Sequence, residues 1–367
     1  MNSTRRTGGS GTRRRRVAAA ATAVAAAIAG IVALSGFHQQ LREIDPPGSD
    51  SASEVAGTDR VGIRTFTPPE GIVVDADLEY GVREDGTLLT LDVCHPAAQA
   101  AAVAADAAAG TVAAAPADAA APAEAGAAAD AVPSLPAVVS IHGGSWQRGD
   151  KANTDWRNVC RWLASEGFVA VSVDYRLVPD ALFPAAIDDV ALAVEWLRQP
   201  EQFERFGIDP ARIGAFGGSA GGNLAALLGT SGEGALDAGS RVAAVVELSG
   251  PVGLGADELA ADGASVWLRS IIAAYLGCEP GVDDEGCPQA VDASPATHAD
   301  ESDPPVFIGH AEDEIVPLGQ SQRLADQLAS AGVPVEFAIV PGGEHSIGIL
   351  DEALRVRVAA FLHEHLG

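Results

Sequence analysis

Short, nearly continuous apolar runs recur along the C-terminal part of the chain at 137–142, 169–174, 212–216, 242–248, 306–310 and 335–340. They are too short for helices, and their unbroken apolar character predicts strands buried on both faces. Between them the period changes. Over 184–199, Ile187, Val190, Ala191, Val194 and Leu197 share one face at helical spacing. Upstream, 72–80 and 87–93 alternate apolar and polar residues across Glu84-Asp85-Gly86, the pattern of an antiparallel hairpin. Strands alternating with helices predict an α/β fold, a mostly parallel sheet of about eight strands covered by helices on both faces. In such a sheet ligands bind beyond the carboxyl ends of the strands.

Two stretches break this rhythm. Residues 97–134 hold 23 alanines, three prolines, four acids and no base. Alanine favours helix, but Pro116 and Pro122 interrupt it and no large side chain offers a face to bury. The expectation is a disordered or loosely helical insertion at the amino end of a strand, away from the site. Residues 250–303 form a long excursion between two strands, expected to lean over the site as a partial cap.

The N-terminus has a separate role. Arg5, Arg6 and Arg13 to Arg16 precede 21 uncharged residues, 17–37, the layout of an export signal or a signal anchor that leaves the remainder outside the cytoplasm. Residues 38–70, rich in Pro, Gly, Ser and acids, read as a flexible tether before a catalytic domain at 71–367. Net charge is −27; residues 1–35 carry six arginines and no acid, so the remainder carries −33. A surface that acidic argues against nucleic acid or anionic membranes as partners. Four cysteines in an exported chain predict two disulfides. Cys278 and Cys287 bracket a short Gly/Pro/Asp-rich loop, which leaves Cys94 with Cys160. No cysteine or histidine spacing suggests a metal site, and no cofactor is expected.

The chemistry centres on Gly217-Gly218-Ser219-Ala220-Gly221. A serine pinched between a strand and a helix, with glycine two positions either side, is a nucleophile elbow that presents its hydroxyl at a helix N-terminus. Serine needs a base, and the base an acid to orient it. His345, in a loop after the last strand, is the expected base. Asp313, after the preceding strand, is the expected acid, with Glu312 and Glu314 as neighbouring alternatives. The order serine, acid, histidine is the one this fold requires. The tetrahedral oxyanion needs donors. Gly143 and Gly144, where the strand ending at His142 turns, are candidates, with the N–H of Ala220 to complete the hole. His142 is expected to be a structural hydrogen-bonder beneath that loop. Ser145 and Trp146 are candidate substrate contacts.

These motifs resemble the α/β-hydrolase superfamily, in its esterase branch related to hormone-sensitive lipase and to feruloyl-esterase-like bacterial carboxylesterases. The matching stretches are IHGGSWQRGDK (141–151), VSVDYRLVPDALFPAAIDDV (171–190), FGIDPARIGAFGGSAGGNLAALL (206–228), DEIVP (313–317) and PGGEH (341–345). The resemblance implies the same roles for Ser219, Asp313, His345, Gly143, Gly144 and Ala220. It departs in two places: His-Gly often stands four residues before the acid where this chain has Gly309-His310, and Ser145 replaces a third glycine or alanine. The reading is an exported serine hydrolase cleaving short-chain carboxylic esters, small or carbohydrate-linked. A serine peptidase or an acyltransferase on the same fold, or a non-catalytic binding module, are the alternatives. Sequence does not set the oligomeric state.

Overall fold

The computed structural model describes residues 62–112, 134–281 and 286–367, with 106–112 as backbone alone. The export segment and most of the tether therefore lie outside the described residues. No helix among the described residues is long and apolar enough to cross a membrane.

The hairpin forms as β1 (Ile72–Val82) and β2 (Leu88–Pro96). With β3 (Leu135–Ile141), β4 (Val169–Val173), β5 (Ile208–Gly218), β6 (Ala244–Leu248), β7 (Val306–Ala311) and β8 (Val335–Val340) it builds one sheet in the order β1-β2-β4-β3-β5-β6-β7-β8. β1, β2 and β4 pair antiparallel; every pair from β4 through β3 to β8 is parallel.

The unbroken apolar runs are explained by two cores. Side chains alternate faces along a strand, and here both faces are buried. On β3, Ala137, Val139 and Ile141 join one core and Val138 the other; on β6, Val245 faces one and Ala244, Val246 and Leu248 the other.

Eleven helices occur among the described residues: α1 (Ala97–Val112), α2 (Thr154–Ser165), α3 (Ala185–Leu197), α4 (Pro200–Phe206), α5 (Ala220–Thr230), α6 (Ala256–Ala261), α7 (Val266–Leu276), α8 (Gln289–Asp292), α9 (Pro295–His298), α10 (Leu318–Ala331) and α11 (Glu352–Leu366). α3, α5, α7 and α10 fill the first core with Val190, Val194, Leu224, Ile272, Leu324 and Leu328. α2 and α11 fill the second with Val159, Trp162, Val358 and Leu362.

Two details add to the expectations. The opening of the alanine-rich insertion is a regular helix, α1, ending before Pro116, as alanine propensity favours where no proline intervenes. Gln99 on α1 is buried, its amide 3.5 Å from the carbonyl of Phe206 at the amino end of β5. The remainder, 113–133, lies outside the described residues. The ordered domain also begins before residue 71: Ile63, in a short 3-10 turn at Gly62–Thr65, is fully buried in the second core.

Both expected disulfides are present. Cys94–Cys160 ties β2 to α2, and Cys278–Cys287 closes the loop after α7. The 250–303 excursion carries α6 to α9. It is pinned to α5 by the Asn223 side-chain amide, which donates to the carbonyls of Pro251 (2.9 Å) and Ala293 (3.0 Å).

Candidate active site

β5 ends at Gly218 and α5 begins at Ala220, so the whole turn between them is Ser219. Its φ of 57° lies in the left-handed region. The flanking glycines follow from space. A Cβ on Gly217 would lie 2.0 Å from the carbonyl oxygen of Gly221, and one on Gly221 would lie 2.0 Å from that of Ile141. From Ile213 to Thr230 every residue but Ser219 is buried. Strand, turn and helix thus present one hydroxyl to the surface. Among the described residues six non-glycines have positive φ, and five of them surround this point: Ser145, Trp146, Ser219, Ser249 and Ser346. Strained backbone of this kind concentrates at functional sites.

The loop after β3 lies against the elbow. A Cβ on Gly143 would sit 3.1 Å from the Cβ of Ser219, and Gly144 has a φ of 126°. Two buried side chains fix the peptide planes of this loop. Tyr175 Oη donates to the carbonyl of His142 at 2.8 Å, and His142 Nδ1 donates to the carbonyl of Gly143 at 2.8 Å. In a trans peptide the C=O and the following N–H point opposite ways. Pinning those carbonyls therefore sets the directions of the Gly143 and Gly144 N–H groups. Ala220, the first residue of α5, has an N–H without an intrahelical acceptor. His142 stacks on Tyr175 with ring centroids 4.3 Å apart, and burial pushes its pKa down, which keeps it neutral. Its structural role is the one expected. The far end of the loop is clamped by Lys151, whose Nζ lies 2.9 Å from carboxylate oxygens of both Asp77 and Asp174.

Of the two candidate substrate contacts, Ser145 is partly exposed. Trp146 is buried. It is 2% exposed and stacked on Tyr275 of α7 at 4.1 Å and 3° between planes. Phe183 packs edge-on against the same tyrosine. The tryptophan carries the cap segment because its large flat surface gains most by burial between two elements.

His345 stands after β8 at the start of a 3-10 turn, Ser346–Ile349. This segment touches the elbow: a Cβ on Gly218 would fall 2.2 Å from Ser346 Oγ, and the Ser346 N–H bonds Ser249 Oγ at 3.2 Å. The partner of His345 Nδ1 is Glu314, in a very short contact. The Glu314 side chain is fully buried and that of His345 is 23% exposed. Asp313, the expected acid, is exposed, and its backbone N–H bonds the carbonyl of Gly342 at 3.0 Å. The correction is one residue. Asp313 points outward at this backbone bond, and the next side chain, Glu314, points inward. The displaced Gly309-His310 pair was the signal in the sequence that the register here differs.

Glu314 also meets a second histidine. His310 Nε2 lies 2.8 Å from Glu314 Oε1, with both side chains fully buried. Both histidines favour the carboxylate form and hold the Glu314 pKa below the usual value, against a burial effect that would raise it. His345 Nε2 is buried and has no hydrogen-bond partner. A ring held through Nδ1, with its other nitrogen free, is suited to accept a proton from a hydroxyl. Among the described residues no group of three or more His, Cys, Asp or Glu is arranged to hold a metal ion.

The family model described as BD-FAE matches residues 127–328, more than half of the chain. The chain belongs to the BD-FAE family. The BD-FAE match takes in Gly143, Gly144, Ser219, His310 and Glu314, and stops before His345. Carboxylesterase NlhH of Mycobacterium tuberculosis is 35% identical over 235 residues, 62% of this chain and 70% of that protein. Neutral cholesterol ester hydrolase 1 of the rat is 45% identical over 94 residues, 25% of this chain. The chain spans only about a quarter of that relative's length, 23%. The solved structure of a truncated carbohydrate esterase from gut microbiota covers 81% of this chain and 98% of its own, with a TM-score of 0.58 and 22% identity, a likeness of fold.

Proposed function

We propose that this protein is an exported serine hydrolase that cleaves carboxylic esters of short acyl chains through Ser219, His345 and Glu314. The observation that carries the reading is the buried pairing of Glu314 with His345 Nδ1, which leaves Nε2 unpartnered. Ser219 Oγ attacks the ester carbonyl while His345 Nε2 takes its proton. Glu314 fixes the ring and stabilises the imidazolium as it forms. The oxyanion that develops is met by the N–H groups of Gly143, Gly144 and Ala220 at the head of α5. Collapse transfers the proton from His345 to the alcohol, which leaves. Water, deprotonated by the same ring, then releases the acid from the acyl-serine.

The names of the relatives support ester hydrolysis. Trp146 and Phe183, packed against Tyr275 of the cap segment as one aromatic block, support a short acyl pocket over a long open groove. Two disulfides support an extracytoplasmic location.

The test is turnover of p-nitrophenyl acetate, butyrate and octanoate by residues 38–367 and by the Ser219→Ala variant. Activity that falls with chain length and vanishes in the variant is expected. Full activity in Ser219→Ala would remove the nucleophile assignment, and a preference for octanoate would remove the short-chain one.

A further inference from the structure

Behind His345 the structure holds a line of buried polar groups that ester hydrolysis alone does not require. His310 on β7 is fully buried, and each of its ring nitrogens is engaged. Nδ1 lies 2.7 Å from Ser321 Oγ on α10, and Nε2 lies 2.9 Å from the carbonyl of Val316. A carbonyl only accepts, so Nε2 carries a hydrogen. That hydrogen points at Val316, so the 2.8 Å approach of Nε2 to Glu314 Oε1 is a charge contact and not a straight hydrogen bond. Glu247 on β6, a second fully buried acid, acts on His310 through its charge and accepts from the N–H of Gly250.

We infer that His310 is a positioning residue, a buried imidazolium between Glu314 and Glu247 that keeps Glu314 ionised and aimed at His345. The inference rests on the proposed serine hydrolase reading and deepens it. A carboxylate with no exposure is costly without a compensating charge. His345 cannot be that charge in the resting state, because a base must be neutral before it accepts a proton. His310 supplies it from the far side. The charged groups that bear on the ring are Glu314 on its own loop, Glu247 on β6 and, through Glu314, His345; α10 brings the hydroxyl of Ser321. Consistent with this placement, Glu314 and, in its ionised form, Glu247 raise the His310 pKa against a burial effect that would lower it. The cation also offsets part of the field that Glu314 exerts on His345. Without it, the Glu314–His345 pair holds its proton more tightly, and the free base appears at higher pH.

The experiment measures the pH dependence of Ser219 phosphonylation by a fluorophosphonate, in which the Ser219 oxygen bonds phosphorus and fluoride leaves. It needs no knowledge of the natural ester. Wild type, His310→Gln, His310→Leu and Ser219→Ala are compared after circular dichroism and thermal melts establish folding. Both His310 variants are expected to shift the acid limb of the rate profile upward by at least about one pH unit, with about three units, one charge about 4 Å away at an effective dielectric near 20, as the ceiling. The Gln variant, which keeps a donor for Val316, is expected to retain more of the plateau rate than the Leu variant. A lower plateau with an unmoved acid limb in folded variants would reduce His310 to a packing role and overturn the inference. Labelling that persists in Ser219→Ala would instead overturn the triad. Should neither His310 variant fold, ring nitrogen shifts of the wild type decide: both His310 nitrogens protonated at pH 7 are expected, and a neutral ring overturns the inference.

Discussion

Replacing Glu314 by Gln removes one charge, keeps the shape, and asks the amide to satisfy two demands at once. His345 Nδ1 must be held by an acceptor if Nε2 is to be the basic nitrogen. His310 Nε2, which carries a hydrogen because it bonds the Val316 carbonyl at 2.9 Å, must also not face a donor. A carboxylate meets both with its two oxygens, whereas an amide has one oxygen and one NH2. If the NH2 faces His345, the ring moves its proton to Nε2 and can no longer accept from Ser219. If the NH2 faces His310, two donors meet in a site without solvent. Losing the correct tautomer in a serine triad costs as much as about 10⁴ in kcat. Partial retention of ring orientation brings the expected loss in Glu314→Gln to about 10²–10⁴, or about 3–5 kcal/mol at 1.36 kcal/mol per decade. Asp313 is exposed, and Asp313→Asn is expected to change kcat/KM by no more than about twofold, as for surface substitutions generally. The assay is initial-rate hydrolysis of p-nitrophenyl butyrate at pH 8, with melting temperatures of both variants measured alongside. A collapse of activity in Asp313→Asn with Glu314→Gln near wild type would refute the argument and restore Asp313 as the acid.

Further outcomes are expected elsewhere in the molecule. Tyr175→Phe removes the donor that fixes the His142–Gly143 peptide, and kcat is expected to fall about tenfold with KM little changed, the loss of about one buried hydrogen bond. Gly221→Ala places a methyl 2.0 Å from the Ile141 carbonyl, and a thermal melt is expected to show loss of native folding, since backbone cannot give way as a side chain does. Burial raises the Glu247 pKa to about 7, so the native state binds that proton more tightly than the unfolded chain. The stability this gives is present at low pH and is lost as pH rises from about 4.5 to about 7. Glu247→Gln is therefore expected to gain on wild type by at most about 3 kcal/mol in denaturant melts between pH 5 and pH 8; a difference that does not change with pH would refute it. Reducing Cys94–Cys160, which closes a separation of 66 residues, is expected to lower stability by about 4 kcal/mol in the same melts.

Much of this protein is legible in one dimension because the physics behind it is local or periodic. Apolar runs of strand length place the six strands β3 to β8, where covered faces leave few polar positions to interrupt them, and period-two alternation places the hairpin β1–β2. The elbow is legible because crowding at Gly217 and Gly221 excludes any other residue, so the backbone geometry is written in the glycines themselves. The cysteine pairing follows from loop proximity for Cys278–Cys287 and from what then remains for the other two. Three things needed the assembled chain. Which of three consecutive acids meets His345 is settled where the segments after β7 and after β8 come together, at Glu314. Trp146 reads equally as a pocket wall or a packing residue until α7 brings Tyr275 onto its face. The His310 network joins β6, β7, α10 and the loop after β8, residues 247, 310, 314, 321 and 345, and sequence spacing carries no trace of it. The sequence by itself determined the sheet and the elbow, and set Ser219, the acids at 312–314 and His345 in order after successive strands, because sterics and period act within a few residues. Which acid meets His345, and which groups lie behind that acid, were decided by tertiary structure, because the surroundings of a buried carboxylate are set in space.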